Sequence, residues 1–181
     1  MRIIGGLYRG KKLYSPLSEN VRPTADKARE SVFNILFSKL KKPWNVVNLA
    51  DIFAGTGAFA FEALSRGAKS VTLVDIDISS ASKNALLFSN EKSKITLLKA
   101  NAARLPTVKS AFDIIFLDAP YHQELSSKAL IEIIKQKWLK NDGICIVETA
   151  QDETLDIPAE MQLIENRRYG IAMFWFLELK I

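Results

Sequence analysis

Asp51-Ile52-Phe53-Ala54-Gly55-Thr56-Gly57-Ala58-Phe59-Ala60 ends one apolar run and opens another. The first run has the length of a buried strand and the second the character of a buried helix, so the segment reads as strand, tight turn, helix. Gly55 and Gly57 allow the turn and the close approach of a ligand to the backbone. An acid, Asp75, stands 18 residues after Gly57, at the expected end of the next strand, where a carboxylate can hold the two hydroxyls of a ribose. Working outward, the pattern predicts strands near Val46–Ile52, Ser70–Asp75, Lys94–Lys99, Phe112–Asp118 and Gly143–Thr149. Helices are expected near Ala58–Arg66, Ile78–Asn90 and Leu125–Lys137, and a closing hairpin over Gln162–Arg168 and Ile171–Lys180. Upstream, Thr24 is expected to cap a helix from about Ala25 to Leu40. Arg2-Ile3-Ile4 and Lys12-Leu13-Tyr14 flank Gly5, Gly6 and Gly10 as a small hairpin arm. Alternating strands and helices predict an α/β, Rossmann-like fold, a mostly parallel sheet covered on both faces, with an antiparallel hairpin at its C-terminal end. Residues 1–24 are expected as a basic arm and loop, and 25–181 as the main domain.

The chain of 181 residues is long enough for one domain with a full core. No apolar run approaches a membrane span. Met1 to Leu13 lacks the apolar core of a secretory signal. One cysteine, Cys145, and one histidine, His122, argue against a disulfide and against a metal site. These features predict a cytoplasmic protein, expected as a monomer. Residues 1–42 hold ten Lys/Arg against three acids, a net of +7, so that with +5 for the whole chain the remainder sums to −2. Basicity confined to one end is the electrostatic footprint of a polyanion partner, or alternatively a solvated surface.

The acid at the start of the turn narrows the cofactor. Asp51 would repel the diphosphate of a dinucleotide, but it suits a ligand carrying an ammonium group. S-adenosylmethionine has that ammonium, a ribose for Asp75, and no phosphate. The expected cofactor residues are Asp51, Phe53, Gly55, Gly57, Asp75 and Ile76. Asn101 and Ala102 join them after the third strand, as does Asp118 after the fourth. Asn101 is placed to hydrogen-bond an adenine edge, or more plainly to cap a turn.

The fourth strand ends in Asp118-Ala119-Pro120-Tyr121, at the edge where α/β ligands bind. The amino group of a base is a poor nucleophile because its lone pair is delocalised into the ring. The Asp118 carboxylate and the Ala119 carbonyl can each accept one N–H, which favours a pyramidal nitrogen. Pro120 fixes the chain direction, and Tyr121 offers a ring on which an extruded base can stack, worth roughly 1–3 kcal/mol. The plain alternative is an Asp that caps the next helix and a Tyr that packs.

These stretches together resemble the RsmD-type bacterial 16S rRNA guanine-N2 methyltransferases, over essentially the whole chain. The resemblance runs through Met1-Arg2-Ile3-Ile4-Gly5-Gly6, Arg9-Gly10-Lys11-Lys12-Leu13, Val21-Arg22-Pro23-Thr24, Arg29-Glu30 and Phe33-Asn34. It continues through Asp51 to Gly57 and Glu62-Ala63-Leu64-Ser65-Arg66, and ends on Asp118 to Tyr121. It implies a seven-stranded S-adenosylmethionine-dependent methyltransferase fold and 16S rRNA as partner, within or outside an assembling small subunit. It also implies RNA contacts from Arg2, Arg9, Lys11, Lys12, Arg22 and Thr24. The family usually has Pro where this chain has Ala119. The carbonyl survives, but the rigidity of a fixed φ is lost. Arg29 and Glu30 are expected as an intrahelical or loop-pinning ion pair. Competing readings are a DNA adenine-N6 or cytosine-N4 methyltransferase, an inactive RNA-binding assembly factor, and a nicotinamide-dependent reductase.

Overall fold

A computed structural model describes residues 1–15 and 23–180. After helix α1 (Pro23–Lys39), the chain alternates β1 (Asn48–Ile52), α2 (Ala58–Ser65), β2 (Ser70–Asp75), α3 (Ser79–Ala85), β3 (Ile95–Lys99), β4 (Phe112–Asp118), α4 (Leu125–Lys135) and β5 (Leu139–Ala150). It closes with β6 (Met161–Tyr169) and β7 (Ala172–Leu179). The seven strands form one sheet in the order β3-β2-β1-β4-β5-β7-β6. The first five in that order run parallel, and β7 and β6 are antiparallel additions. The expected α/β architecture is therefore present, with β7 inserted between β5 and the edge strand β6.

The two apolar layers on either side of the sheet explain the strand composition. Six of the seven residues of β4 are buried, as a parallel strand covered on both faces requires. One layer joins α1, α2 and the arm; the other joins α4 and Trp138. All eight residues of α2 are buried, because the sheet covers one side and α1 and the arm cover the rest. A helix apolar on every side needs such a double cover.

The arm is a short antiparallel pairing. Arg2 bridges Lys12, and the Ile3 and Leu13 amides donate to the Lys11 and Met1 carbonyls. It is fixed to α2 by one buried carboxylate. Glu62 accepts the backbone N–H of Ile4 at 2.7 Å and of Gly5 at 2.8 Å, and pairs with Arg66 at 2.7 Å. Ser65 adds a hydroxyl that accepts from Tyr8 N–H and donates to the Gly5 carbonyl. A Cβ on Gly6 would lie 1.9 Å from the Ser65 carbonyl oxygen, so only glycine lets the two backbones meet. The returning half of the arm is held by Asn84, which exchanges two hydrogen bonds with Tyr14 and donates a third to the Thr56 carbonyl.

Four expectations shift. Helix α1 starts at Pro23 rather than after Thr24, because proline lacks the N–H that a first helical residue would leave unbonded. The helix expected over 78–90 stops at Ala85 and continues as a 3-10 segment, Leu86–Lys94. Phe88 leaves helical geometry there to stack on Phe61, with ring centroids 4.7 Å apart. Strand β5 begins at Leu139 rather than Gly143, since a bulge opposite Phe112–Ile114 lets pairing extend back. Arg29 pairs with Asp26 at 3.0 Å and donates to the Arg2 carbonyl at 2.9 Å, whereas Glu30 is exposed. Adjacent residues on a helix point to different sides.

Replacing Glu62 by Ala strands two part-buried N–H donors and a guanidinium. Unfolding in urea should show a loss of about 3 kcal/mol or more, with faster amide exchange at Ile4 and Gly5. An unchanged midpoint would remove Glu62 as the anchor of the arm.

Candidate active site

The carboxyl ends of the parallel strands place the candidate residues in one row. Val74 pairs with Ile52 and Ile52 with Leu117, while Asp118 pairs with Glu148. The next positions, Asp75, Phe53 and Asp118, therefore leave β2, β1 and β4 at neighbouring points on one edge, with Glu148 beside them on β5. The chain reverses its direction of sheet growth between β1 and β4, the switch point where open α/β sheets bind ligands.

The β1–α2 turn is built from left-handed residues. Phe53 has φ 65, Gly55 φ 53 and Gly57 φ 78. The two glycines serve different ends. A Cβ on Gly57 would meet Leu73 Cδ2 at 2.3 Å and Phe61 Cε2 at 2.6 Å, so this glycine seats α2 against the sheet. A Cβ on Gly55 would meet nothing within 4 Å; this backbone faces open space. Phe53, lacking glycine's freedom, holds a strained φ at the mouth of the crevice.

Asp75 orders the turn from the next strand. Its carboxylate accepts the Gly55 N–H at 2.8 Å and the Asp77 N–H at 3.1 Å. Ile76 follows, 67% exposed, an apolar side chain held in the open next to an acid. Asp51 lies buried beneath the turn and accepts the Ala60 N–H at 3.1 Å. Burial pushes its carboxyl up to about 8; the Ala60 bond and Arg29 pull the other way, and the charge of Asp75 adds to the rise. Across β3, the Asn101 oxygen accepts the Ala103 N–H at 2.9 Å and caps a short 3-10 turn. The methyl of Ala102 packs inward, so this residue can meet a ligand only through its backbone.

Asp118 is exposed at the end of β4, Ala119 is 4% exposed and Pro120 is exposed. Tyr121 is half-buried, and its hydroxyl donates to Glu148 at 2.9 Å. Burial raises the pKa of this phenol, and the neighbouring carboxylates of Glu148, Asp118 and Glu153 raise it further. Burial also raises Glu148, opposed by the Tyr121 hydrogen bond and the charge of Arg29. Tyr121 forms one wall of an open pocket of about 410 Å³, with His122, Ala150, Gln151, Asp152 and Ile171. Glu148 was not among the sequence candidates. A lone acid near the carboxyl end of an apolar parallel strand carries no motif of its own, and its place follows from the register opposite Asp118.

The basic residues of the arm divide. The Lys11 ammonium donates to the Leu87 carbonyl at 2.6 Å and sits over the Tyr8 ring at 4.9 Å. Arg2 reaches Asp26 at 3.4 Å. Arg9 and Lys12 are exposed, with no side-chain partner among the described residues. Arg22 lies outside the described residues, and Thr24 is described only as backbone in the first turn of α1. Cys145 is buried in β5, where burial raises its thiol pKa. Among the described residues no cluster of three metal-ligating side chains occurs, and no helix is long and apolar enough to cross a membrane.

Comparison with known proteins agrees with this geometry. The family model described as Conserved hypothetical protein 95 matches residues 1–178. The ribosomal RNA small subunit methyltransferase D of Haemophilus influenzae is 34% identical over 180 residues, 96% of this chain and 91% of that protein. The protein of the same name from Escherichia coli K12 is 32% identical over 179 residues, 94% of this chain and 85% of that protein. The solved structure of the Escherichia coli protein yhhF matches with a TM-score of 0.78 at 29% identity, covering 99% of this chain and 98% of that one. A sheet with this strand order, an open glycine turn between two acids, and an Asp-Ala-Pro-Tyr strand end thus occur in a chain that belongs to the RsmD family of methyltransferases.

Proposed function

We propose that this chain transfers a methyl group from S-adenosylmethionine to the N2 amino group of a guanine in 16S rRNA. The observation that carries the reading is the common edge shared by the Asp51–Gly57 turn, Asp75 and the Asp118–Tyr121 strand end. The names of the relatives supply the RNA.

The residues present fit the cofactor. Gly55 opens onto free space. Asp51, with a single hydrogen-bond donor among the described residues, suits a cation better than an anion. Asp75 stands at the turn with a carboxylate that can accept ribose hydroxyls, and the exposed Ile76 offers an apolar surface to a purine. When bound, the sulfonium supplies an electrophilic methyl group. The chain's own part is to hold the target. Asp118 and the Ala119 carbonyl accept the two amino hydrogens, and Asp118 can take up the proton released. Tyr121 gives the extruded base a face to stack on, against an extrusion cost of a few kcal/mol. The packed methyl of Ala119 limits the freedom that a missing proline ring would otherwise give, which favours retained chemistry over an inactive protein.

The charge of the site favours guanine over adenine. Asp118, Glu148 and Glu153 surround Tyr121 with acceptors. Guanine presents two neighbouring donors there, N1–H and the N2 amino group. Adenine places an acceptor, N1, beside its amino group. The RNA itself would be gripped at a distance. The arm tip contacts the far end of α2, about 12 Å along an eight-residue helix, so Arg9 would meet phosphates remote from the target base.

The direct test is mass-spectrometric mapping of 16S rRNA from cells with and without the gene, complemented by variants. A guanine N2-methyl mark should vanish with the gene and return with the wild type. Asp118→Ala should abolish it without loss of cofactor binding, and Asp118→Asn should retain part, because an amide oxygen still accepts. Full methylation by Asp118→Ala would overturn the mechanism.

Asp51 makes cofactor binding pH-dependent. Below about 8 its carboxyl is protonated in the free protein, and an ammonium beside it favours the ionised form. Binding should therefore release a proton. Affinity for S-adenosylmethionine should rise with pH up to about 8, by at most about tenfold per unit. Calorimetry with 5′-methylthioadenosine, which lacks the ammonium, should show no such slope, and Asp51→Asn should flatten it. An equal slope for both ligands would remove Asp51 from the ammonium site.

Neutralising Arg9 and Lys12 together should reduce the slope of log affinity for 16S rRNA against log salt by about 1.5. Lys11→Gln should change it less, since that ammonium already has partners within the protein. A slope unaltered in the double variant would make the arm a solubilising surface only.

A further inference from the structure

We propose that Glu148 is a positioning residue, holding the Tyr121 ring axis in the one place from which the ring can receive the target base. The inference rests on the function proposed above and adds a residue which neither the tetrad nor the cofactor turn contains.

Three observations converge on it. Glu148 stands opposite Asp118 in the β4–β5 pairing, so it occupies the same rung as the group expected to grip the amino nitrogen. Its Oε1 accepts the Tyr121 hydroxyl at 2.9 Å, which ties the far end of the ring back to that rung. The chain then turns sharply away, with His122 at φ 60, and its imidazole stands edge-on to the Tyr121 ring, centroids 6.4 Å apart at 81°. The ring is thus held at both ends, by backbone at Cα and by a hydrogen bond at the hydroxyl, and Tyr121 lines the pocket with Gln151 and Ile171. Stacking depends on where the platform stands. A ring tethered only at Cα swings about its Cα–Cβ bond, whereas one pinned at its hydroxyl keeps its long axis in place and retains only rotation about that axis.

On this account Tyr121→Phe, mild if only the ring face mattered, removes the pin and leaves Glu148 without its donor. The test is a double-mutant cycle in the full chain, with 16S rRNA from cells lacking the gene as substrate. Glu148→Ala should raise KM for the RNA roughly tenfold, with the dissociation constant of S-adenosylmethionine unchanged. Glu148→Gln, which keeps an acceptor, should restore most of the loss. In the Tyr121→Phe background, Glu148→Ala should cost little more. A loss of equal size in both backgrounds, or no loss at all, would overturn the proposal. Carbon-13 NMR of ring-labelled tyrosine reads the pin without activity: the Tyr121 signals should shift in Glu148→Ala and return in Glu148→Gln. If the wild type binds cofactor but leaves 16S rRNA unmethylated, the proposed function fails. The ring signals then decide the pin alone, and signals unmoved by Glu148→Ala would overturn it.

Discussion

Helix α2 is buried along its whole length, and the site can be traced from that constraint. Its N-terminus is fixed by Gly57, where no other residue fits between Leu73 and Phe61. That fit fixes the preceding turn, with Gly55 facing outward. Its C-terminal half carries Glu62 and Ser65, which fasten the arm. The arm in turn meets Asn84, and Asn84 returns to the turn through the Thr56 carbonyl. Met1 closes the same circuit, its sulfur accepting the Thr56 hydroxyl at 3.3 Å. The basic arm is therefore part of the scaffold of the Asp51–Gly57 turn, and loss of its docking would be felt at Gly55.

The crevice gathers acids rather than spreading them. Asp51 and Glu148 are both driven upward by burial, and Arg29 draws both back down. Arg29 itself is buried, donates to the Arg2 carbonyl and pairs with Asp26, and its Nε has no partner among the described residues. Carboxylates kept out of water without full pairing cost stability, and folds carry such costs where a ligand repays them. A cationic, donor-rich pair of ligands would do so here: an ammonium at Asp51, and base N–H groups at Asp118. The same acids would disfavour a diphosphate, so one electrostatic arrangement separates this site from that of a dinucleotide enzyme on a similar sheet.

How much of this was legible follows from the range of each interaction. The turn at Asp51–Gly57 could be read because left-handed backbone demands glycine, and the strand-end acids because apolar runs end on them. A mostly parallel sheet with an antiparallel end needed only alternation and a final hairpin; the order of the strands, with β7 between β5 and β6, left no mark in the sequence. The arm's docking could not be read. Glu62 meets Ile4 across 58 residues, and a carboxylate bonding backbone N–H groups leaves no periodic trace in either segment. Phe88 was hidden for the same reason, since its helix breaks for the sake of a distant ring. Arg29 was read against its neighbour in sequence, Glu30, when its partners lay at Asp26 and on the arm. Glu148 was passed over because a single acid within an apolar strand carries no motif, and only the register opposite Asp118 gives it meaning.

That register also bears on the departure at Ala119. A proline there would hold the strand end by its own ring, independently of its neighbours. With alanine, the direction of the segment rests on what surrounds it. The Ala119 methyl packs inward, Pro120 fixes the following φ, and the Tyr121 hydroxyl is tied to β5 through Glu148. Rigidity lost from the covalent chain is replaced by a contact on either side of the carbonyl that would accept the amino hydrogen. The two features belong together: the weaker the backbone's own constraint at residue 119, the more the orientation of Tyr121 depends on the carboxylate across the strand pair.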